Sequence, residues 1–491
     1  MMDRRSFLST SAAAAALIGL NPWQVLALSD AGRSRQLSFR ANRGTDVEGT
    51  WALQDVEGVL PAELLGDYYK IGPGTKECFG RALAHYFDGD AYALRFSFRP
   101  TGVELSARFV DTRERREEQS AGRMLYHEFG TAAPRGAKGR KNQPNINFLP
   151  HQGGILALSE GGAPVRLTRE LATSGEERFA GTLPKNVSFS AHPKASGDGK
   201  ETFAFGIHQS ISRALKLFRV DGARLVELYS LNQKDVAMIH DMGLSASHCL
   251  FLIPPAIFKL TDLVLGRAPL ASALEYDAKK PLRLLVLDRQ GKAAPWELAL
   301  PAHLVFHHAC AVEEGDELVI HAMLAKDGSL LETIANWQAP AATGVALPGL
   351  FEIRVNTRER RLVGLRELVA AVDFPVINPR TLGGRTRFVY AASMGTGADP
   401  FAFTGVVKVD LTTGRQLRYR LNPAQQCGEP LFVPAAGATE EDQGHLLVQG
   451  YDELRDESFL DVLDATGLQR QARVWCGQYF PLGFHGTFLR S

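Results

Sequence analysis

The sequence predicts an all-β protein built as a β-propeller. Three observations lead there. Beyond about residue 40 no long helical period occurs. Instead, short runs rich in Val, Leu, Phe and Tyr are broken by Gly, Asp, Asn and Pro, and pairs of runs meet at turn signals, as hairpins do. The hairpins continue over roughly 450 residues, whereas one hydrophobic core stops growing at about 250–300. Repeating small four-stranded sheets around an axis escapes that limit; seven blades of about 60 residues would leave room for inserted loops. No clean sequence period is visible. Two β-rich domains are the alternative, though no Pro/Ser-rich linker marks a boundary.

In chain order, the first signal is "MDRRSFLSTSAAAAALIGL", with Arg4 and Arg5 ahead of a short Ala-rich apolar stretch. The stretch is too short to span a bilayer. It resembles a twin-arginine (Tat) export signal, an address read by a receptor. Cleavage is expected near "ALSDAG" (Ala27 to Gly32), so residues 1–31 read as a signal peptide and 40–491 as one propeller domain in the periplasm.

The hairpins follow. "AYALRFSFRPTGVELSARFV", "LRLLVLDRQGKAAPWELAL" and "GVVKVDLTTGRQLRYRL" each join two apolar runs through a polar tip, and "DRQGKA" and "DLTTGR" carry turn chemistry. "GHLLVQGYD" has the same pattern. One segment departs from it. "HCLFLIPPAIFKLTDLVLGRAPLASALEYD" (His248 to Asp277) opens as a strand, then "AIFKLTDLVLG" has the spacing of a short amphipathic helix. That helix reads either as a cap on the body or as an apolar patch, at 250–270, that meets a membrane or greasy ligands.

Charge removes one class of function. Lys+Arg is 55 and Asp+Glu 54, so the chain has no basic excess to serve a nucleic-acid binder. The five cysteines are odd in number and form no CxxC, which argues against a disulfide framework or thiolate zinc cluster.

Histidines carry the chemical signal. No HExxH occurs among the thirteen. Four have related surroundings: His192 in "VSFSAHPKASGDG", His240 in "DVAMIHDMGLSASHCLFLIPP", His307 in "HLVFHHACAVEEGDELVIHA" and His485 in "FPLGFHGTFL". Three lie at or next to an apolar strand-like run and the fourth between Phe484 and Phe488, places where an imidazole is expected to be buried and needs partners. Wide separation along the chain suits donors from different blades converging on one axis. His307 and His308 are adjacent, and adjacent strand residues point to opposite faces, so one of them at most faces a given site. On strict alternation His303, Val305 and His307 share one face, and Phe306 and His308 the other. Periodicity does not choose between them.

Longer segments resemble the carotenoid cleavage oxygenases, a family that includes the lignostilbene dioxygenases. The resemblance is carried in order by "LLGDYYKIGPG" (Leu64 to Gly74), "AHYFDGDAYALRFSF" (Ala84 to Phe98), "NINFLPHQGGILALSEGGAPVRL" (Asn145 to Leu167), the four histidine contexts, "VDFPVINPR" (Val372 to Arg380) and "GEPLFVPAAGATEEDQGHLLVQGYD" (Gly428 to Asp452). It implies a seven-bladed β-propeller with a loop and helix cap over an axial Fe(II). It also implies that His192, His240, His307 and His485 are the ligands, so that His308 points away. Three ligands would be held from behind by Glu160, Asp373 and Glu429. Asp373 departs from the family's usual glutamate, and a carboxylate one methylene shorter must move closer or act through water.

These residue types suit the implied chemistry. Neutral imidazole suits Fe(II), and a carboxylate on the far ring nitrogen fixes the tautomer. The implied reaction is addition of both atoms of O2 across a carbon–carbon double bond, giving two carbonyl products. The implied substrate is a carotenoid or apocarotenoid, with a phenolic stilbene as the alternative. Stilbene cleavers grip the phenol with a Tyr and a Lys; here the expected Tyr position is Phe109, with Lys138 or Lys141 as the lysine, which favours an apolar polyene. A metal-free propeller binding protein, or a hydrolase or isomerase on the same scaffold, are the readings from other classes.

Overall fold

The computed structural model describes residues 30–491 except 135, 209–213, 233–237, 259–268, 340–343 and 396–398. The hairpins assemble into seven antiparallel sheets of four or five strands, with two small two-stranded ribbons beside them. Seven strands stand at one edge of the seven blades: Gly486–Arg490, Asn147–His151, Lys194–Ala195, Gly243–Leu244, Leu304–Glu314, Val372–Val376 and Gln425–Pro434. Neighbouring inner strands touch, and Gly486–Arg490 of the first blade meets Gln425–Pro434 of the last blade on one side and Asn147–His151 of the second on the other. This is a seven-bladed β-propeller.

Burial explains why the strands read as they do. Middle strands are covered on both faces by neighbouring blades, so Gly444–Asp452 is buried at every position. Outer strands are covered on one face only, and Gln416–Arg420 alternates exposed and half-buried. Each pair of adjacent blades shares an apolar cluster. Phe203, Phe205 and Leu217 meet Phe251 and Leu285; Leu284 and Val286 meet Ile320 and Ile353; Tyr390 and Val406 meet Leu446 and Val448. Leu460 and Val474 meet Phe96 and Leu105, which closes the ring.

Both chain ends stitch that closure. The strand Val56–Gly58 pairs with Arg470–Trp475 of the last blade. The C-terminal strand Gly486–Arg490 pairs with Gly66–Pro73 of the first. Gly486 is needed there, because a Cβ would lie 2.4 Å from the Tyr69 carbonyl oxygen.

Three features lie outside the strand reading. The helix Asp30–Ala41 packs on the body ahead of residue 40: Arg35 Nη1 meets Asp399 Oδ1 at 3.1 Å, and Leu37 and Ala41 pack with Tyr451 and Tyr479. A polar helix, Arg113–Ala121, starts at Thr112, whose hydroxyl accepts from the Arg115 N–H, and ends at left-handed Gly122. The expected amphipathic helix after Pro255 begins instead as a strand, Ala256–Phe258, paired with Leu274–Tyr276. Its remainder, 259–268, lies outside the described residues, as does the export pattern up to residue 29. No helix among the described residues is long and apolar enough to cross a membrane.

Candidate metal centre

Four inner strands deliver the four histidines. His192 and His240 sit just before Lys194–Ala195 and Gly243–Leu244, His307 lies within Leu304–Glu314, and His485 directly precedes Gly486–Arg490. One ring nitrogen of each comes within 4.8 Å of the others. His192 Nε2 and His240 Nε2 are 3.0 Å apart, and the His192 and His485 ring centroids 4.5 Å apart. His192, His307 and His485 are buried, and His240 is half-buried.

Three carboxylates stand behind these rings. His307 Nδ1 donates to Asp373 Oδ1 at 2.7 Å, and His485 Nδ1 to Glu429 Oε1 at 2.7 Å. His240 Nδ1 meets Glu160 Oε1 in the same way. A carboxylate on Nδ1 holds the proton there and leaves Nε2 as a lone pair facing the axis. Burial pushes the pKa of His192 well below its ordinary value and lowers that of His485, which keeps both imidazoles neutral. Burial acts the same way on His307, but Asp373 outweighs it and the pKa rises.

Lone pairs aimed at one point repel unless a cation lies between them. His307 Nε2 is buried without a hydrogen-bond partner, an unfavourable arrangement for a polar atom unless it ligates. Four neutral imidazole nitrogens fit a divalent transition metal of the iron, copper or zinc kind.

The comparisons with known proteins agree with this geometry. The family model described as retinal pigment epithelial membrane protein matches residues 42–490. The chain belongs to this family, that of the carotenoid cleavage oxygenases. Among curated relatives, it is 29% identical over 479 residues to the apocarotenoid-15,15'-oxygenase of Synechocystis, covering 92% of this chain and 96% of that one. It is 26% identical over 488 residues to carotenoid 9,10(9',10')-cleavage dioxygenase 1 of Phaseolus vulgaris, covering 88% of this chain and 86% of that one. Among solved structures, an ACO/RPE65 chimera superposes with a TM-score of 0.87 at 27% identity, covering 93% of this chain and 99% of that one. A cobalt-substituted Synechocystis ACO gives the same four values.

In this oxygenase-family chain, the four histidines and three carboxylates named from the sequence converge on one axis. Two details sharpen or change. Of the two routes open to the shorter side chain, Asp373 takes the direct one and reaches His307 without water between them. Its strand breaks register between Asp373 and Val376, and Ala371 and Phe374 take positive φ of 56° and 54°, so the irregular backbone carries the short carboxylate forward. The second change is at the histidine pair. Register also shifts between Val305 and His308, so strict alternation fails there. Phe306 and His307 consequently line one cavity together, while His308 turns to the neighbouring strand end, its backbone N–H donating to Asp241 Oδ2 at 2.8 Å.

That cavity has a volume of about 80 Å³ and lies against His240, His307 and His485, among Phe306, Phe374, Phe403 and Phe484. Leu330 and Ile334 of the helix Ser329–Ala335 form another part of its wall. Phe109, Lys138 and Lys141 are not among its lining. Phe109 packs against Tyr92 and under Arg115, Lys138 pairs with Glu117, and Lys141 is buried among Asp90, Glu118 and Glu128. They therefore say nothing about phenol binding.

Sequence reasoning missed the aromatic lining and Asp241. Asp241 is buried and takes Lys194 Nζ at 2.8 Å as well as the His308 N–H, so it ties three ligand-bearing strand ends together. Its position next to His240 was the available signal.

Proposed function

We propose that this family member is a non-haem Fe(II) dioxygenase that cleaves a carbon–carbon double bond of a carotenoid or apocarotenoid with O2. The observation that carries the reading is the convergence of four imidazoles beside an apolar aromatic chamber. Iron, when bound, would supply the redox centre at which O2 is used. Both oxygen atoms end in the products, one on each carbon of the broken double bond, so two carbonyl compounds form and no further reductant is needed.

The chain's own residues have three tasks. Asp373, Glu429 and Glu160 hold the Nδ1 protons, so each ligand presents a basic nitrogen. Phe306, Phe374, Phe403 and Phe484 bind apolar surface and keep water from the reacting bond. Tyr86 adds its ring, with its hydroxyl tied to Asn42 Oδ1 at 3.0 Å. Among the described residues the cavity lining holds no lysine, and its tyrosine, Tyr86, has its hydroxyl engaged by Asn42, which supports a polyene over a phenolic stilbene. The full histidine set supports the enzyme over a metal-free binding protein.

The test is incubation of iron-loaded protein with a carotenoid, a polyene aldehyde and a hydroxystilbene under isotopically heavy O2. Cleavage of the polyenes with label in both carbonyl products is expected. Cleavage of the stilbene alone would overturn the substrate, and no cleavage of any would overturn the activity. The twin-arginine pattern supports export to the periplasm, which cell fractionation tests. Peripheral membrane contact within 250–270 is supported only by the apolar composition of that segment, of which Leu250–Ala256 is buried.

A further inference from the structure

Beyond the metal cavity lies a larger chamber of about 680 Å³, within the usual range of small-ligand sites. Phe87, Phe306 and Ile334 line both spaces and form the partition between them. The cavity at the histidines is too small for a whole polyene, so the rest of a bound chain must extend out of it. The larger chamber is the adjoining space.

His85 lines that chamber. It is 4% exposed, and its ring stands edge-on to Phe87 and Phe129 with centroids 5.0 and 4.9 Å away. Gly130 packs directly against it, so that a Cβ there would lie 2.1 Å from His85 Cβ. The tautomer is set. His85 Nδ1 accepts the Phe87 backbone N–H at 3.1 Å, so the ring proton of the neutral form sits on Nε2. Among the described residues nothing hydrogen-bonds to Nε2. Burial, with Lys76 nearby, lowers the pKa of His85 to about 3, so the ring is neutral at physiological pH. Glu275, Asp327 and Glu332 line the same chamber.

We infer that His85 is a specificity-determining residue whose Nε2–H donates to the oxygen at the polar end of a polyene aldehyde, ketone or alcohol. This rests on the polyene-cleaving reading above. A neutral donor suits a carbonyl or hydroxyl oxygen. A carboxylate end is disfavoured, since it would face Asp327 and Glu332 in the same chamber. A hydrocarbon end would leave the donor unpaired in an apolar enclosure, at a cost typical of a buried unmade hydrogen bond.

Equilibrium binding tests this directly. A polyene aldehyde, the hydrocarbon of equal length and the matching carboxylic acid are titrated by tryptophan fluorescence quenching. Wild type should bind the aldehyde roughly three- to tenfold more tightly than the hydrocarbon, and the acid most weakly. His85→Asn places an oxygen where Nδ1 lies, still able to accept from Phe87, but lacks a donor at the Nε2 position. Its preference should fall to near one. His85→Gln restores a donor there and should keep the preference. The carbonyl stretch of aldehyde bound to wild type should fall below its value in an apolar solvent. A wild type without preference, an unshifted stretch, or an Asn variant with the wild-type ratio overturns the inference. Failure of the cleavage reading is a separate result: a wild type that binds the aldehyde preferentially and cuts no polyene.

Discussion

Asp373 and His307 are in direct contact, Oδ1 to Nδ1 at 2.7 Å, the distance that Glu429 keeps from His485. The shorter side chain thus does the work of a glutamate, and the irregular backbone at Ala371 and Phe374 makes up the missing methylene. Removing the carboxylate should loosen the ligand without removing it. Asp373→Ala is expected to weaken metal affinity about 10- to 100-fold. Asp373→Asn, which can still accept the Nδ1–H, should fall between Ala and wild type. Metal titration with a competing chelator reads both, and equal affinity in all three proteins would show that the contact is idle.

Lys141 makes three buried contacts, to Asp90 at 2.7 Å, Glu118 at 2.8 Å and Glu128 at 3.1 Å. It ties the helix Arg113–Ala121 to the loop that carries Glu128. Lys141→Met leaves three carboxylates together without their cation. A loss of about 3–5 kcal/mol in unfolding free energy is expected, seen as a lowered thermal midpoint. Metal content in the folded protein should be unchanged. An unchanged midpoint would mean that the cluster contributes nothing.

His321 and Glu352 face each other across adjacent strands of the same blade as His307, with Nε2 and Oε2 3.7 Å apart. Burial opposes a proton on His321, but Cys310 and Glu352 outweigh it and raise its pKa from 6.5 to about 9. The ionic contact with His321 is the main cause that lowers Glu352 from 4.5 to about 2. A raised histidine stabilises fully below 6.5 and loses that stability as pH climbs through about 9. A lowered glutamate stabilises above 4.5 and loses that stability as pH falls through about 2. The thermal advantage of wild type over Glu352→Gln should therefore peak between pH 4.5 and 6.5 and shrink on both sides. A pH-independent difference would contradict the coupling.

Much of this was legible in the sequence because propeller strands repeat a simple rule. Alternating and continuous apolar runs reported which strands are half-covered and which are enclosed. The four histidines stood out because polar rings in apolar runs are rare without partners. The cavity walls were not legible, since Phe306 comes from one blade and Phe374 and Phe403 from the next, and all three look like core residues. Local breaks in register were equally hidden: alternation assigned Phe306 and His307 to opposite faces, and the irregular backbone puts both on one cavity. Phe109 stands at the position expected of a stilbene cleaver's tyrosine, but its ring is part of the blade core. Asp241, which shares its carboxylate between Lys194 and His308, needed three-dimensional proximity to be seen.

The central claim is that His192, His240, His307 and His485 hold one iron. Iron content per purified chain, measured in wild type, His307→Ala and His308→Ala, tests it most directly. About one iron in wild type, loss in His307→Ala and retention in His308→Ala is the predicted result. Iron-free wild type under iron-replete expression, or loss in His308→Ala with retention in His307→Ala, would contradict it.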